Sequence, residues 1–517
     1  MSSMPRGPNL VRSLPQNFVA SVAGRSWSAA LSFVLVPIYI RVLGVEAYGI
    51  IVLFASAQAV MVFLDLGLST ALNRELASLQ IHRVDARGIR DTVRTLELLY
   101  WGAAVFMAVA SMPAARLLTA HWVRPVELPP ASVVQALGIM GVALATQFPY
   151  TLYAAGLMGV QRHVLLNRIL IAATSVRALG TLAVLYWLAP TVQGFMTWQA
   201  VSGLIQSSLG LLGLWRSLPP SGVRARFIVG SLRHLSRFSV GVFGISATAL
   251  ILTQADKILL SRLLTLDALG YYGLASLAAS VLSLVALPLF NTVFPRLTSL
   301  AAARDEARLG NTYRAASQAA AVLVVPAATV LILFSRDLLW LWTRDVATAD
   351  QAHRLVSLLA IGTALNGIAQ VPYALQLALG WTKLAFVANS LSIMVLLPLL
   401  VFLVPRWGAF GAALVWIALN VGYVVFVVAW MHRKVLVGEL RRWYISDVGL
   451  PAVAALAAAT VTRALVGRSA TDGDRLLSAV AAGSLAILAA GLAASEVRGW
   501  AFAGIRRLAA TITGSSR

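Results

Sequence analysis

Long stretches of apolar residues, separated by short polar connections, follow one another along nearly the whole chain. About 20 apolar residues suffice for a helix to cross the hydrocarbon core of a bilayer, so each stretch predicts a membrane-spanning helix. The last two stretches are rich in alanine and weaker than the others. The predicted spans are 15–43, 45–73, 96–118, 132–160, 164–189, 192–215, 238–264, 269–295, 315–342, 353–380, 384–404, 408–431, 447–466 and 475–495.

The composition supports an all-α polytopic membrane protein of about 14 transmembrane helices. Hydrophobic residues make up 59% of the 517 residues and charged residues only 12%, which excludes a soluble globular chain of this length. The first apolar stretch is too long for the core of a signal peptide, so we expect it to be retained as a span. The sequence contains no cysteine, which excludes disulfides, thiolate metal sites and a cysteine nucleophile.

The formal net charge of +22 does not indicate a nucleic-acid partner, because the basic residues are scattered among short connections and form no continuous stripe. Of the 41 Lys and Arg residues, 27 lie on the side of both termini and 11 on the opposite side. The positive-inside rule therefore predicts that both termini are cytoplasmic.

The connections between spans predict a transporter and not an enzyme. None is long enough to hold a folded catalytic domain, and the phosphate-binding GxxxxGK[ST] segment of ATPases is absent. No metal site or cofactor is predicted. The energy for transport must then come from an ion gradient, the membrane potential or the imbalance of the substrate itself.

Two segments of the first half recur in the second half at nearly the same spacing. Residues 41–49 (RVLGVEAYG) align with 262–270 (RLLTLDALG) at a shift of 221, and 147–152 (QFPYTL) with 370–375 (QVPYAL) at a shift of 223. Each copy holds six predicted spans, an even number, so both copies enter the membrane from the same side. The repeat predicts two pseudo-symmetric six-helix lobes around a central cavity, with two helices appended at the C-terminus.

Two prolines occupy equivalent places in the repeat. Pro149 and Pro372 each remove a backbone hydrogen bond and predict a bend, which is either a hinge that shapes the cavity or a tolerated kink.

The predicted organisation is a cytoplasmic N-terminal segment (1–14), an N-lobe (15–215), a basic cytoplasmic linker (216–236), a C-lobe (237–432), a second cytoplasmic linker (433–446), helices 13 and 14 (447–495) and a cytoplasmic tail (496–517).

Particular segments carry a family resemblance. In the first half they are Asn17, PIYIRVLGVEAYG at 37–49 and FLDLGLSTALNRELA at 63–77; in the second they are QADKILLSRLLTLDALGYYGLASL at 254–277 and FPRLTSL at 294–300. In order and spacing they resemble the Wzx-type polysaccharide-biosynthesis transporters, flippases of the multidrug/oligosaccharidyl-lipid/polysaccharide superfamily. The resemblance covers roughly the first twelve spans.

The resemblance implies a flippase of the bacterial inner membrane. Such a protein carries a polyprenyl-pyrophosphate-linked oligosaccharide from the inner to the outer leaflet by alternating access, for the biosynthesis of O-antigen, capsule or exopolysaccharide. The implied partners are the lipid-linked glycan, membrane lipids and, as an open alternative, a polymerase of the same pathway. The resemblance fixes neither the repeat unit nor the oligomeric state, for which a monomer is plausible.

Charged residues inside predicted spans are costly and normally face a partner or a wet cavity. Arg25, Arg177 and Lys257 predict a cationic chamber for the pyrophosphate, because a guanidinium donates bidentate hydrogen bonds and keeps its charge when desolvated. Arg25 could instead extend to the cytoplasmic headgroups, and Arg177 could belong to a buried ion pair. Asp65 lies at a depth similar to that of Arg25 and could pair with it or make a structural hydrogen bond near its turn.

Asp256 and Lys257 are adjacent on one helix and project about 100° apart. We therefore expect that they do not simply neutralise each other, that Lys257 meets substrate charge and that Asp256 pairs with another helix. Polar residues without evident partners could meet sugar hydroxyls in the cavity or form interhelical hydrogen bonds. These residues are Gln147, Gln254, Asn366 and Gln370.

Two other functions stay open. A multidrug or metabolite exporter of the same superfamily would share the fold, but an acidic cavity would suit its usual cationic substrates better. A membrane-embedded glycosyltransferase or polysaccharide polymerase would also handle lipid-linked sugars. It would need catalytic groups on a sizeable outer loop, whereas the outer connections predicted here are short.

Overall fold

The computed structural model describes residue 27 and residues 30–78, 86–230, 251–466 and 471–499. Within these ranges the regular elements are helices, apart from one isolated β-bridge between Arg124 and Thr265. The predicted all-α class is therefore confirmed. The chain divides into two compact units, Met1–Gly270 and Tyr271–Arg517, so the first takes in the seventh predicted span and the start of the eighth.

The described residues before Thr265 form eight helices, and α6 continues into a π-helical turn at Val184–Leu188. They are α1 (Ala30–Leu43), α2 (Val45–Leu64), α3 (Leu68–Ser78), α4 (Ala86–His121), α5 (Pro130–Gly159), α6 (His163–Ala183), α7 (Val192–Ser217) and α8 (residues 251–263).

The remaining described residues form nine helices, two π-helical turns at Tyr423–Val427 and Trp443–Gly449, and a short helical stretch at 495–499. The helices are α9 (Leu266–Ala302), α10 (Glu306–Leu333), α11 (Ser335–Thr343), α12 (Val346–Ala378), α13 (Thr382–Gly422), α14 (Val428–Lys434), α15 (Leu440–Arg442), α16 (Leu450–Val466) and α17 (Asp472–Ala493).

Nine helices of the described part are long and apolar enough to cross a membrane, and two shorter apolar helices precede them. One of the nine, Lys383–Lys434, holds both predicted spans 11 and 12. Gly408, with φ 57° and ψ −139°, breaks α13 at the predicted connection, so the two spans form the arms of a hairpin. Glycine adopts this left-handed φ without steric cost.

The predicted second span, 45–73, is not one continuous helix. The chain leaves α2 at Asp65, and Leu66 and Gly67 have φ of 48° and 76°. Asp65 then accepts a 2.8 Å hydrogen bond from the Ser69 hydroxyl at the start of α3, where a carboxylate also interacts favourably with the helix dipole. The predicted span runs through this break because Leu66, Leu68 and Leu72 extend the apolar pattern past Asp65 into the first turns of α3.

Equivalent segments of the repeat pack against each other inside the first unit. A Cβ atom added at Gly49 would lie 2.0 Å from the carbonyl oxygen of Leu266, and one added at Gly270 would lie 2.4 Å from that of Val45. Gly49 and Gly270, and likewise Val45 and Leu266, are equivalent residues under the shift of 221, so the repeat relates the two contacts to each other. Only glycine permits so close a backbone approach, so the contact between the two segments requires glycine at both positions.

The two C-terminal helices pack through small side chains. The alanines that face inward on α16 and α17 are fully buried and form a cluster with Val322 and Phe334. Small residues let helices approach closely in a membrane, where no hydrophobic driving force brings them together. The alanine content that weakens these spans in the sequence therefore serves their packing. The fully buried members are Ala455, Ala459, Ala482, Ala486 and Ala490.

Candidate functional site

Arg177 lies deep inside the first unit, on α6. It follows His163, the first residue of the helix, by 14 positions, which corresponds to about 21 Å along the axis. The helix and its π-helical turn form one candidate membrane span, His163–Leu188. The half-buried Arg177 side chain therefore starts near the middle of an apolar span, as the sequence predicts.

Neutral side chains of α7 hold the Arg177 guanidinium. Its Nη2 donates to Gln206 Oε1 at 2.6 Å, and its Nε donates to Ser202 Oγ at 3.3 Å. Gln206 also hydrogen-bonds with Tyr150, and the Tyr150 and Tyr39 side chains lie near the guanidinium. We call these five residues the Arg177 cluster.

The charge of Arg177 has no carboxylate partner among the described residues. The ion pairs found within 4.0 Å in those ranges involve other arginines and Lys257. The sequence predicts that Arg177 either lines a cationic chamber or belongs to a buried ion pair. Among the described residues, no acid lies within ion-pair distance of it. Hydroxyls and amides satisfy the hydrogen-bonding geometry of the group but leave its charge uncompensated.

Amide side chains link several helices of the first unit. Gln58 on α2 donates to Gln147 Oε1 at 2.6 Å, and Gln147 on α5 donates to the Gln199 carbonyl at 3.4 Å. Gln199 on α7 donates to Thr181 Oγ1 on α6 at 3.5 Å. Gln147 therefore makes interhelical hydrogen bonds, which was the alternative to a free cavity residue.

A similar amide chain lies in the second unit. Asn366 on α12 donates to Asn420 Oδ1 in the second arm of α13 at 3.0 Å, and Gln370 donates to Asn366 Oδ1 at 3.1 Å. Asn420 donates in turn to the Trp416 carbonyl at 2.8 Å. Asn366 therefore makes an interhelical hydrogen bond, the alternative to a free cavity residue, and Gln370 bonds within its own helix; contact of either residue with sugar hydroxyls stays a prediction.

Asp256 and Lys257 form an ion pair, contrary to the expectation that they do not simply neutralise each other, whereas the pairing of Asp256 with another helix stays a prediction. Lys257 Nζ lies 3.3 Å from Asp256 Oδ2 and 3.3 Å from the Thr253 carbonyl oxygen. The four-carbon stem of lysine is long and flexible enough to fold back along the helix, which overcomes the angular separation of the two side chains. Gln254, on the same helix, is half-buried.

Asp65 makes structural hydrogen bonds. Its buried carboxylate accepts from the Tyr100 hydroxyl on α4 and from the Ser69 hydroxyl on α3. Arg25 lies outside the described residues, so its proposed pairing with Asp65 stays a prediction. Pro149 and Pro372 lie buried inside α5 and α12, which continue through them, and the bends stay predictions too.

The sequence reasoning missed a buried acid, Glu97. Its Oε1 accepts from the Tyr153 hydroxyl at 2.9 Å and the Trp215 indole at 3.2 Å, and Arg94 lies 2.6 Å from its Oε2. The signal available was an acid one helical turn after an arginine, at the start of the apolar stretch. Within the described ranges, no group of three or more His, Asp or Glu side chains could hold a metal ion.

Long apolar helices, an internal repeat and polar side chains at membrane depth define a polytopic membrane transporter. Residues 14–301 match the family model described as "Polysaccharide biosynthesis protein", and residues 243–403 match the MatE model. Since the first match covers more than half of the sequence, the chain belongs to the polysaccharide biosynthesis protein family. The predicted resemblance to Wzx-type transporters is confirmed.

Individual relatives agree with this membership. A Shigella flexneri protein described as "Putative O-antigen transporter" is 19% identical over 431 residues, which cover 82% of this chain and 98% of that protein. The structure of the lipid II flippase MurJ in an inward closed conformation has a TM-score of 0.69 at 14% identity, covering 92% of this chain and 98% of MurJ. An inward-facing MATE family multidrug transporter has a TM-score of 0.64 at 12% identity, covering 80% and 96%.

The two structural likenesses establish the fold. Together with the family, they make this chain a multi-pass inner-membrane protein of the superfamily that contains lipid-linked flippases and exporters. That superfamily is a class of transporters and not of enzymes.

Proposed function

We propose that the protein flips a polyprenyl-pyrophosphate-linked oligosaccharide repeat unit from the inner to the outer leaflet of the bacterial inner membrane. It does so by alternating access, with both termini cytoplasmic, and serves the biosynthesis of O-antigen, capsule or exopolysaccharide. The observation that carries the proposal is the position of Arg177 at membrane depth with only neutral hydrogen-bond partners among the described residues. The O-antigen transporter description of the Shigella relative supports it.

Arg177 suits a pyrophosphate. A guanidinium has five N–H donors, of which the contacts with Ser202 and Gln206 use two. The remaining donors can form charge-assisted hydrogen bonds with phosphate oxygens, and the phosphate charge offsets the cost of the desolvated cation. Lys257 would join by exchanging its Asp256 partner for substrate, and Arg25 would add a third cation.

The membrane potential favours this direction of transport. A potential that is negative inside contributes about 2.3 kcal/mol per charge per 100 mV, so two phosphate charges gain roughly 5 kcal/mol on moving outward. Cation coupling is then permitted but not required. In proteoliposomes, the rate of outward movement should rise with an imposed inside-negative potential, and a rate independent of potential contradicts this energy source.

Reversal of one charge tests the proposal. We expect Arg177→Glu to abolish translocation of a lipid-linked oligosaccharide in proteoliposomes, because an acid at this site repels the pyrophosphate. Arg168→Glu is the matched control, since Arg168 lies on the same helix with an exposed side chain. Normal flipping by Arg177→Glu would refute the role of the site.

The second candidate is a multidrug or metabolite exporter, which the MatE match to residues 243–403 favours. Such a protein usually binds cations, for which the uncompensated charge of Arg177 is unfavourable. The same pair of variants separates the two functions. A cation exporter should tolerate Arg177→Glu or gain transport of cationic drugs, whereas a flippase should lose translocation.

A further inference from the structure

An apolar groove lies between the two arms of the α13 hairpin, wholly within the second unit. It has a volume of about 300 Å³. The first arm contributes Leu391, Val395 and Leu399, and the second contributes Gly422 and Phe426. Both arms belong to a segment long and apolar enough to cross a membrane, so the groove lies at membrane depth.

The size of the groove decides what can occupy it. Its lining extends over residues 388–399 and 415–427, which corresponds to roughly 17 Å along each helix, about half of the hydrocarbon core. An α-helix of that length and about 10 Å in diameter fills on the order of 1,300 Å³. All the empty space between the arms amounts to about 800 Å³, which is too little for a partner helix and enough for a flexible hydrocarbon chain.

The groove results from the local sequence of the second arm. A Cβ atom added at Gly422 would meet nothing within 4 Å, so this position leaves open space beside the helix. The wide π-helical turn Tyr423–Val427 follows directly, and the Tyr423 hydroxyl donates to Asn389 Oδ1 on the first arm. This hydrogen bond fixes the tyrosine as part of the groove wall.

One end of the groove is basic. Lys434 Nζ lies 5.5 Å from the centre of the Trp381 ring, which brings the two ends of the hairpin together. Lys383, Arg433 and Lys434 are exposed at this end, and Lys383 precedes the lining residue Ala388 by about 8 Å along the helix. Basic residues at the cytoplasmic end of membrane helices attract anionic lipid headgroups.

We propose that this groove binds the chain of a polyprenyl phosphate and that Lys383 and Lys434 bind its phosphate. The inference rests on the proposed function, because a flippase for lipid-linked glycans must accommodate such a chain. A polyprenyl phosphate has one chain with its phosphate at the end, which matches an apolar groove with one basic end. The site lies in the unit that does not contain Arg177.

Photo-crosslinking tests the site in the full-length protein. The probe is a polyprenyl phosphate with a diazirine on a chain isoprene, incorporated with the protein into phosphatidylcholine nanodiscs. Label should appear in the peptides that contain residues 388–399 and 415–427. Unlabelled polyprenyl phosphate should displace it, and the two-chain anionic lipid phosphatidylglycerol should not.

Variants that fill the groove provide the decisive comparison. Gly422→Leu should reduce labelling about tenfold, equivalent to about 1.4 kcal/mol of affinity. Gly491→Leu is the matched control, because a Cβ atom there also meets nothing within 4 Å but the residue lies on α17, away from the groove. Ala418→Phe, at an exposed lining position, serves if Gly422→Leu does not fold.

The basic end has its own test. Lys383→Ala combined with Lys434→Ala should weaken labelling by the phosphate probe but not by the corresponding uncharged polyprenol probe. Arg406→Ala, at the opposite end of the first arm, should change neither. Labelling that ignores both groove-filling variants, or that phosphatidylglycerol displaces equally well, overturns the proposal.

Failure of this inference can be told apart from failure of the proposed function. Translocation of a lipid-linked oligosaccharide is measured with the same proteins in proteoliposomes. Translocation without labelling of the groove refutes the groove alone. Labelling of the groove without translocation refutes the flippase function and retains the lipid site.

Discussion

The α6–α7 hairpin of the first repeat and the α13 hairpin of the second are equivalent in sequence order and opposite in chemistry. The repeat shift of 221 to 223 places Arg177 over residues 398–400, an apolar stretch of the first arm of α13. In the first copy, Arg177 holds the hairpin through Ser202 and Gln206; in the second, the space between the arms is an apolar groove. The two copies of the repeat share the order of their helices, but the side chains between the paired helices differ in chemistry.

A similar difference between the copies is found at the connection between their first two helices. In the first copy, the buried Glu46 accepts hydrogen bonds from the backbone N–H groups of Val126 and Glu127 at 2.6 and 2.7 Å. The equivalent amides of the second copy, at residues 347 and 348, are bound by Asp345 at 3.3 and 3.0 Å. Asp267, the counterpart of Glu46, has an Oδ1 atom without a hydrogen-bond partner.

The largest effect is expected where the two copies touch. Gly49→Ala should prevent native packing, because its Cβ atom would lie 2.0 Å from the Leu266 carbonyl oxygen. We expect a loss of more than about 4 kcal/mol in the free energy of unfolding, or no folded protein. Thermal unfolding of the purified protein measures this, with Gly102→Ala as a control at a position that contacts nothing within 4 Å. Equal stability of the two variants contradicts the packing.

The next prediction compares the hydrogen bonds of the Arg177 cluster with those of the neutral amides around Asn366. Gln206→Leu removes the acceptor that lies 2.6 Å from Arg177 Nη2, and hydrogen bonds to charged groups contribute roughly 1.5–3 kcal/mol. Asn366→Leu removes neutral partners, for which about 1 kcal/mol is expected. Denaturation midpoints measured side by side should rank the variants in this order. The reverse ranking would show that the Arg177 contact does not stabilise the first hairpin.

A third comparison concerns the two acids of the repeat. Glu46→Gln should cost about 2 kcal/mol, because the amide NH₂ group cannot accept from the backbone N–H groups that the carboxylate binds. Asp267→Asn should change stability by less than about 0.5 kcal/mol, because no hydrogen bond to Oδ1 is lost. Unfolding temperatures of the two variants test this, and a larger loss in Asp267→Asn would contradict the divergence.

The smallest effect is a pH dependence at Asp345. The hydroxyl of Thr348 donates to its carboxylate, as do the backbone N–H groups at 347 and 348, and these contacts lower the pKa of Asp345. The folded-state pKa is below the unfolded one, so the stabilisation is complete at neutral pH and is lost as the pH falls through the lowered value. Replacing this helix cap by Asp345→Ala should cost about 1 kcal/mol at neutral pH and less in acid. A pH-independent difference would contradict the assignment.

Much of the fold followed from the apolar pattern, because a bilayer imposes one length scale on every span. The break at residues 65–67 did not, because Leu66 and Leu68 continue the apolar pattern across Asp65 and Gly67. The depth of Arg177 was predictable by counting residues. Its partners were not, because Ser202 and Gln206 come from another helix whose rotation only tertiary packing fixes.

The break between α2 and α3 changes how neighbouring helices of the first unit are connected to one another. A continuous helix transmits force along its backbone ladder, but at residues 65–67 that ladder is reduced to single turn bonds such as Leu68 N to the Asp65 carbonyl at 2.9 Å. The Asp65 carboxylate instead joins Ser69 on α3 to Tyr100 on α4. Side-chain hydrogen bonds to a single carboxylate thus take the place of the continuous backbone ladder in linking the end of α2 to α3 and α4.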